Sequence, residues 1–495
     1  MIGFNSEKYL KLQSEKILER IAMFENKLYL EFGGKLFDDY HAARVLPGFP
    51  PDIKVQLLKT LADSAEIVIV INASNIDSSK AIGDSGISYD DDVLRLIDEF
   101  QGNGLYVGSV VISQYLGQSA ADKFRAHLED NGITVYFLHH IPESDYPSNI
   151  QLILSDKGYG NNDYIETSRP LVVITSPGPG SGKMAACLSQ LYHENKRGVN
   201  AGYAKFETFP IWNLPLKSMI NLAYEAATAD LNDVNMIDPF HLEAYGVSAV
   251  NYNRDIEVFP ILNAMFTRIW GESPYLSPTD MGVNMIGYCI ADQEVCDAAA
   301  KQEIIRRYFN TRLDFAKGIV TKSAVSKLEL LMNNSELTPD DRPPVRPALK
   351  KTHETGVPCV ALRLPDGKIV TGKTSDLLGA SSAALLNALK YLAKIDDDVL
   401  LISPAVIEPI QLLKVGYLGN ENPRLNTDEM LVALAISTVT NPVAKLILEQ
   451  LPKLKNSEAH SSVILSQVDT SMFRQLGVNI TCEPVFVNKR LFHGN

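Results

Sequence analysis

The sequence predicts an α/β protein, with a doubly wound, mostly parallel sheet first, a mainly helical middle segment next and a further α/β domain last. Three observations predict it. Short apolar runs alternate with stretches of helical spacing from Ser6 to Phe206, which is how parallel strands and their crossover helices read. Two of these runs, residues 66–71 and 171–174, are continuous rather than alternating, as strands covered on both faces are. The second run passes into a loop with three glycines and then into a helix. Such a loop sits at the carboxyl end of its strand, where open α/β sheets bind ligands.

Taken in order, residues 6–23 form an amphipathic helix, with Tyr9, Leu10, Leu12, Ile17, Ile21 and Ala22 on its apolar side. Residues 27–32 alternate as a strand. Residues 32–52 are rich in Gly, Asp, His and Arg and lie between a strand and a helix. Lys35, Asp38, Asp39, His41 and Arg44 are their polar candidates for a cleft. A solvated loop with a salt bridge or two reads equally well, because Gly33-Gly34 and Pro47-Gly48 are ordinary turn dipeptides. Helices follow at 53–62, 91–100 and 119–131, and strands at 66–71, 106–112 and 134–138. The long acidic loop after Ile71 ends in Asp90, Asp91 and Asp92, better placed to favour a helix dipole than to hold a cation. His139 and His140 are adjacent on a strand and point to opposite faces, against a shared metal. Residues 155–170 read as a long turn or hairpin over the cleft, before the strand at 171–174 and another at 201–206.

The glycine loop carries the clearest chemistry. Residues 176–182 suit neither helix nor strand, and from Lys183 the spacing of Met184, Cys187, Leu188 and Leu191 is helical. Gly178, Gly180, Ser181, Gly182 and Lys183 are candidates to bind phosphate or a nucleotide. Glycines let backbone N–H groups close on an anion, the helix N-terminus adds its dipole, and the ammonium reaches phosphate oxygens. The Walker pattern G-x-x-x-x-G-K-[ST] is incomplete, since Pro177 replaces its first glycine and Met184 the hydroxyl that holds magnesium. Binding is therefore expected ahead of ordinary P-loop hydrolysis, and a purely structural turn is the competing reading.

Composition narrows the function classes. The chain has 495 residues, 45% hydrophobic and 21% charged, as ordinary globular proteins do. Its net charge of −13 argues against nucleic acid as the main partner. The five cysteines are scattered without a C-x-x-C pair, against a disulfide framework or zinc site. The charged N-terminus is no signal peptide, and no run is apolar enough to span a membrane, so a cytoplasmic location is expected.

Beyond residue 205 the character changes. Lys205 and Glu207 flank Phe206, so both point one way from a strand end. Residues 221–257 are dense in acids. A helix at 217–229 puts Asn221 and Glu225 on one face. Glu225, Asp230, Asp233 and Asp238 are candidate cleft acids, the three aspartates as holders of magnesium beside a phosphate, against a solvated acidic surface as the plainer reading. In the SPTDMG turn, Ser277 or Thr279 is a helix N-cap and Asp280 a further cleft candidate. Domains are expected at 1–220, 221–334 and 352–495, with 335–351, which hold four prolines, as an extended linker. The last domain begins with a hairpin, 357–364 and 368–371, around Pro365-Asp366-Gly367. A helix at 381–393, a strand at 399–402, helices at 428–437 and 442–451, and strands at 462–465 and 478–482 follow.

ALRLPDGKIVTG followed by SSAALLNALKYL resembles the opening of a cytidine-deaminase-type fold. That family's zinc residues are missing, since the helix lacks a Cys or His before Ala-Glu and SPAVIEP stands where P-C-x-x-C belongs. Across the whole chain, TSPGPGSGKMAACLSQLYHE, FGGKLFDDYHAARVLPGF, EAATADLNDVNMIDPFHLEAYG and SPYLSPTDMGVN resemble a bacterial family of cytosolic proteins of uncharacterised function. The resemblance implies a three-part α/β protein whose polar motifs meet in one cleft, and it brings no activity. The expected function is binding of a nucleotide or phosphorylated small molecule, with catalysis on that ligand, a non-catalytic sensor and an assembly scaffold, including a homo-oligomer, as its alternatives.

Overall fold

The computed structural model describes residues 2–25, 27–80, 87–142, 146–231 and 233–487. The chain divides into two compact units, Met1–Ala300 and Lys301–Asn495. Residues 221–300 of the helical middle stretch thus belong to the first unit and 301–334 to the second.

Among the described residues the main sheet of the first unit has six strands. They are β1 Leu28–Phe32, β2 Ala65–Asn72, β3 Tyr106–Tyr115, β4 Thr134–His139, β5 Leu171–Thr175 and β6 Gly202–Phe206. Their order is β4-β3-β2-β5-β1-β6, and every neighbouring pair is parallel. The continuous apolar runs occupy the centre, with β1 and β5 buried along their whole length. The acids at 90–92 fall in the first turn of the helix Tyr89–Gly102, behind its cap Ser88. Residues 81–86 of the loop before it lie outside the described residues.

The stretch 155–170 corrects an expectation. It is not a hairpin over the carboxyl edge but the return crossing from β4 to the start of β5. Its last residues lie at the opposite edge, where buried Glu66, at the start of β2, accepts hydrogen bonds from the N–H groups of Ser168 (2.6 Å) and Arg169 (2.8 Å). A parallel strand obliges the chain to travel back before it can begin. Beyond β6 the first unit is mainly helical, as expected, with a small antiparallel pair, β7 Asn235–Ile237 and β8 Val250–Tyr252, that hydropathy did not indicate.

The second unit holds a sheet with four strands among the described residues, ordered β10-β9-β11-β12. They are β9 Cys359–Arg363, β10 Ile369–Lys373, β11 Glu458–Ser461 and β12 Asn479–Cys482. β9 is antiparallel to both β10 and β11, and β11 runs parallel to β12. Gly372 lets β10 touch the helix Ala380–Ala393, because a Cβ there would stand 2.0 Å from the Ala384 nitrogen. Two expected strands are corrected. Residues 399–402 form no strand; Leu401 and Ile402 simply insert into the core. The strand expected at 462–465 lies earlier, at Glu458–Ser461, in a segment too polar for an apolar pattern to reveal.

The proline-rich segment 335–351 is not extended either. It folds into a 3-10 turn, Pro339–Asp341, and the start of the helix Val345–Thr355. Prolines suit such helix starts, where their missing N–H costs nothing. Arg342 between them is fully buried and donates to Glu458 (2.5 Å), Thr481 Oγ1 (2.9 Å) and the carbonyls of Ala459 (3.1 Å) and Asn479 (2.8 Å). It joins β11 to β12. Among the described residues no helix is long and apolar enough to cross a membrane.

Candidate functional site

The strand order locates a topological switch point before any side chain is considered. The chain leaves β2 toward β3 on one side and leaves β5 toward β6 on the other. Right-handed crossovers therefore put the two connections on opposite faces. The switch point, where sheets of this kind bind ligands, thus lies between the carboxyl ends of β2 and β5, and the glycine loop leaves β5 there.

The loop's carbonyls are tied back by side chains from three elements. Asn72, at the end of β2, donates to the Gly180 carbonyl (3.3 Å), and Ser113 of β3 donates to the Ser181 carbonyl (2.7 Å). The Gly178 carbonyl accepts from the hydroxyls of Ser176 (2.9 Å) and Ser181 (2.8 Å). The N–H groups are treated differently. Among the described residues none from Gly178 to Ala185 meets an acceptor, and the first backbone donor is Ala186, which closes the first turn of the helix Lys183–Lys196. Lys183 Nζ folds back to Ser176 Oγ (3.1 Å) over the loop. Gly182 caps the helix with φ +91°, and a Cβ there would stand 2.8 Å from Ser113 Oγ. At Gly178 a Cβ would stand 2.3 Å from the Tyr89 hydroxyl. Both positions thus require glycine for a stated steric reason.

A second cluster lies two strands along the same edge. Glu31 of β1 and Lys205 of β6 are register partners, and Ile174 of β5 completes their row, so the loop, from Ser176, begins two residues past it. Lys205 Nζ contacts Asp255 Oδ2 (2.6 Å) and Glu207 Oε1 (2.8 Å), while Tyr203 donates to Glu31 (2.7 Å). Burial alone would lower the Lys205 ammonium, but Asp255, Glu207 and Glu31 outweigh it and hold it above its ordinary range. Burial pushes the Glu207 carboxyl up to about 7, with Lys205 opposing and Asp255 and Glu31 adding to the rise. Gly33 presses against this group, since a Cβ there would come within 3.0 Å of the Phe206 carbonyl and 3.2 Å of Glu207 Cγ. Tyr224, stacked on Phe209 at 5.1 Å, is pushed up to about 12 by burial and then by the Glu207 charge. Glu31, Glu207 and Asp255 are the members that sequence reasoning did not select. Glu207 left a signal in its alternation with Lys205, and Glu31 left one as a carboxylate inside an otherwise apolar strand.

The remaining candidates are distributed unevenly. His41 reaches the cluster's margin, edge-on to both Phe209 and Tyr224 at 5.5 Å. Lys35 and Asp38 are exposed and Arg44 is half-buried. Asp39 is structural: it caps the helix Tyr40–Val45 and pairs with buried Lys54 at 2.7 Å. Glu225 accepts from the Asn235 N–H (3.3 Å).

The three aspartates proposed for magnesium are not gathered. Asp230 is exposed, Asp233 pairs with Arg254 (3.1 Å), and Asp238 is buried as a cap. One oxygen of Asp238 accepts from the N–H groups of Phe240 and His241, the other from the N–H and hydroxyl of Thr279. Among the described residues no three His, Cys, Asp or Glu side chains converge as a metal site. Asp280 is likewise a capping residue. It closes a capping box with Ser277, as the turn suggested, and accepts from the Tyr245 hydroxyl (2.9 Å). His241 Nδ1 lies 3.0 Å from Ser277 Oγ and 3.7 Å from Asp280 Oδ1. Both neighbours share one ring nitrogen, which is not the relay geometry of a nucleophile, base and acid. All five cysteines are buried and unpaired, and burial pushes the Cys187 thiol well up, away from nucleophilic use.

Fold and edge together define a parallel α/β protein with a glycine-rich strand–loop–helix at its switch point. The chain belongs to the family described as domain of unknown function DUF1846: residues 2–336 match its N-terminal part and residues 340–492 its C-terminal part. It is 59% identical over 491 residues to a UPF0371 protein of Streptococcus pyogenes serotype M5 (strain Manfredo), covering 99% of each chain. It is 58% identical over 490 residues to a UPF0371 protein of Streptococcus thermophilus, again covering 99% of each.

Proposed function

We propose that this protein binds a nucleotide or another phosphorylated small molecule at the loop Gly178–Gly180–Ser181–Gly182–Lys183. One observation carries the reading. The loop's carbonyls are held by Asn72, Ser113, Ser176 and Ser181, while its N–H groups and the helix N-terminus beyond them meet no acceptor among the described residues. Backbone donors arranged in this way suit a phosphate, and the Lys183 ammonium adds a mobile positive charge. Met184 supplies no hydroxyl for magnesium, so the reading assigns the anion to N–H groups and the ammonium.

The test is a thermal-shift panel of nucleotides, sugar phosphates and inorganic phosphate, with and without magnesium, on the wild type and Lys183→Ala. A ligand at a hundred times its Kd raises stability by about 2.7 kcal/mol. A shift in the wild type that vanishes in Lys183→Ala supports the reading. A folded wild type that responds to no phosphate removes it and leaves the loop as a structural turn. Incubating any ligand so found with the protein and following its consumption separates an enzyme from a sensor.

A further inference from the structure

The carboxyl edge of the sheet pairs two unlike surfaces. At β5 the loop presents backbone donors. At β6 the cluster around Lys205 presents acceptors, with three carboxylates, Glu31, Glu207 and Asp255, about one ammonium. The ammonium is shared between Asp255 and Glu207, and Tyr203 occupies Glu31. Glu207 is the most open of the three-member group it forms with Lys205 and Asp255, with 26% of its side chain exposed against 14% and 11%. Its Oε1 faces Lys205, and no donor among the described residues meets its Oε2. Strands β5 and β6 lie two spacings apart, roughly 10 Å, the scale of a sugar phosphate.

We propose that the ligand's phosphate rests on the glycine loop while its hydroxyl groups donate to Glu207, so that the ligand class is a polyhydroxylated phosphate ester, either a sugar phosphate or the ribose phosphate of a nucleotide. This deepens the phosphate reading and rests on it. The chemistry is complementary at both ends: a dianion needs donors, and vicinal hydroxyls need acceptors. Lys205 and Asp255 are positioning residues, which hold the Glu207 carboxylate at the carboxyl edge of the sheet. A phosphate lacking hydroxyls would use only the loop.

Calorimetric titration of the full chain tests this with inorganic phosphate, methyl phosphate, ribose 5-phosphate and AMP, on the wild type, Glu207→Gln and Lys183→Ala. Ribose 5-phosphate or AMP is expected to bind at least about tenfold tighter than methyl phosphate, the worth of one charge-assisted hydrogen bond. Glu207→Gln is expected to remove that gain and leave inorganic phosphate within about twofold, while Lys183→Ala weakens every ligand. Whichever of the two binds tighter identifies a sugar phosphate or a nucleotide. The inference is overturned if methyl phosphate binds the wild type as tightly as both hydroxylated esters, a comparison that needs no variant, or if Glu207→Gln keeps the gain. Failure of the phosphate reading looks different: the wild type binds none of the four, or Lys183→Ala binds them all unchanged.

Discussion

Two charged clusters in this molecule look alike in composition and differ in completion. In the second unit Arg342 is fully buried, and its guanidinium spends hydrogen bonds on Glu458, Thr481 and two strand carbonyls. Arg306 closes on the same Glu458 at 2.9 Å and on Glu303 at 2.6 Å. Burial would raise the Glu458 carboxyl, but Arg306 and Arg342 outweigh it and hold it below its ordinary range. On the carboxyl edge of the first unit's sheet, the glycine loop holds its carbonyls and leaves its N–H groups unmatched, and Glu207 keeps one oxygen without a donor among the described residues. A saturated network specifies a fold, whereas a preorganised but unfinished one is available to a ligand.

That contrast breaks or stands on four variants. Arg342→Met leaves the half-buried Glu458 with part of its charge unmatched and is expected to cost about 3–5 kcal/mol, read from the midpoint of denaturant unfolding. A loss below about 1 kcal/mol would deny the network its structural role. Gly182→Ala forces a side chain into left-handed backbone against Ser113, for a loss of roughly 1–3 kcal/mol. It should also abolish the thermal response to phosphate.

Glu207→Gln acts through pH. The folded carboxyl sits near 7 against an ordinary 4.5, so between those values the folded state binds more protons than the unfolded one. Wild-type stability should therefore fall as pH rises through that window and level off above it, by roughly 1–3 kcal/mol. Glu207→Gln should flatten this slope in melting curves taken across the window; an unchanged slope would place the proton elsewhere. Smallest of all, Lys183→Ala should change stability by less than about 0.5 kcal/mol, because among the described residues its ammonium makes a single hydrogen bond, to Ser176. Its whole effect should appear only when phosphate is present.

Much of the fold was legible because hydropathy reports burial on both faces. Residues 66–71 and 171–174 read as central parallel strands and are β2 and β5. Ser277 or Thr279 read as a helix cap, and Ser277 is the one. The misses at polar segments share one cause, which is polar residues made structural by hydrogen-bond partners that composition does not reveal. Residues 335–351 read as a loose linker because proline and charge dominate, yet Arg342 is drawn inside by groups more than a hundred residues later. Asp238 and Asp280 read as site acids, and local N–H groups claim them instead. The cluster at Lys205 was half legible. Alternation placed Lys205 and Glu207 on one side, but Glu31 and Asp255 join them through strand order and the helix Asn253–Trp270, which no local pattern encodes.

The most direct measurement is an NMR titration of the full chain, labelled with 15N in its glycines, with inorganic phosphate. Gly178, Gly180 and Gly182 carry the unmatched N–H groups, while Gly367, in the turn between β9 and β10, donates to the Leu364 carbonyl and serves as a reference. The account predicts saturable amide shifts at the three loop glycines, none at Gly367, and their loss in Lys183→Ala. Loop amides that stay fixed while phosphate is raised, or shifts of equal size at Gly367, would contradict it.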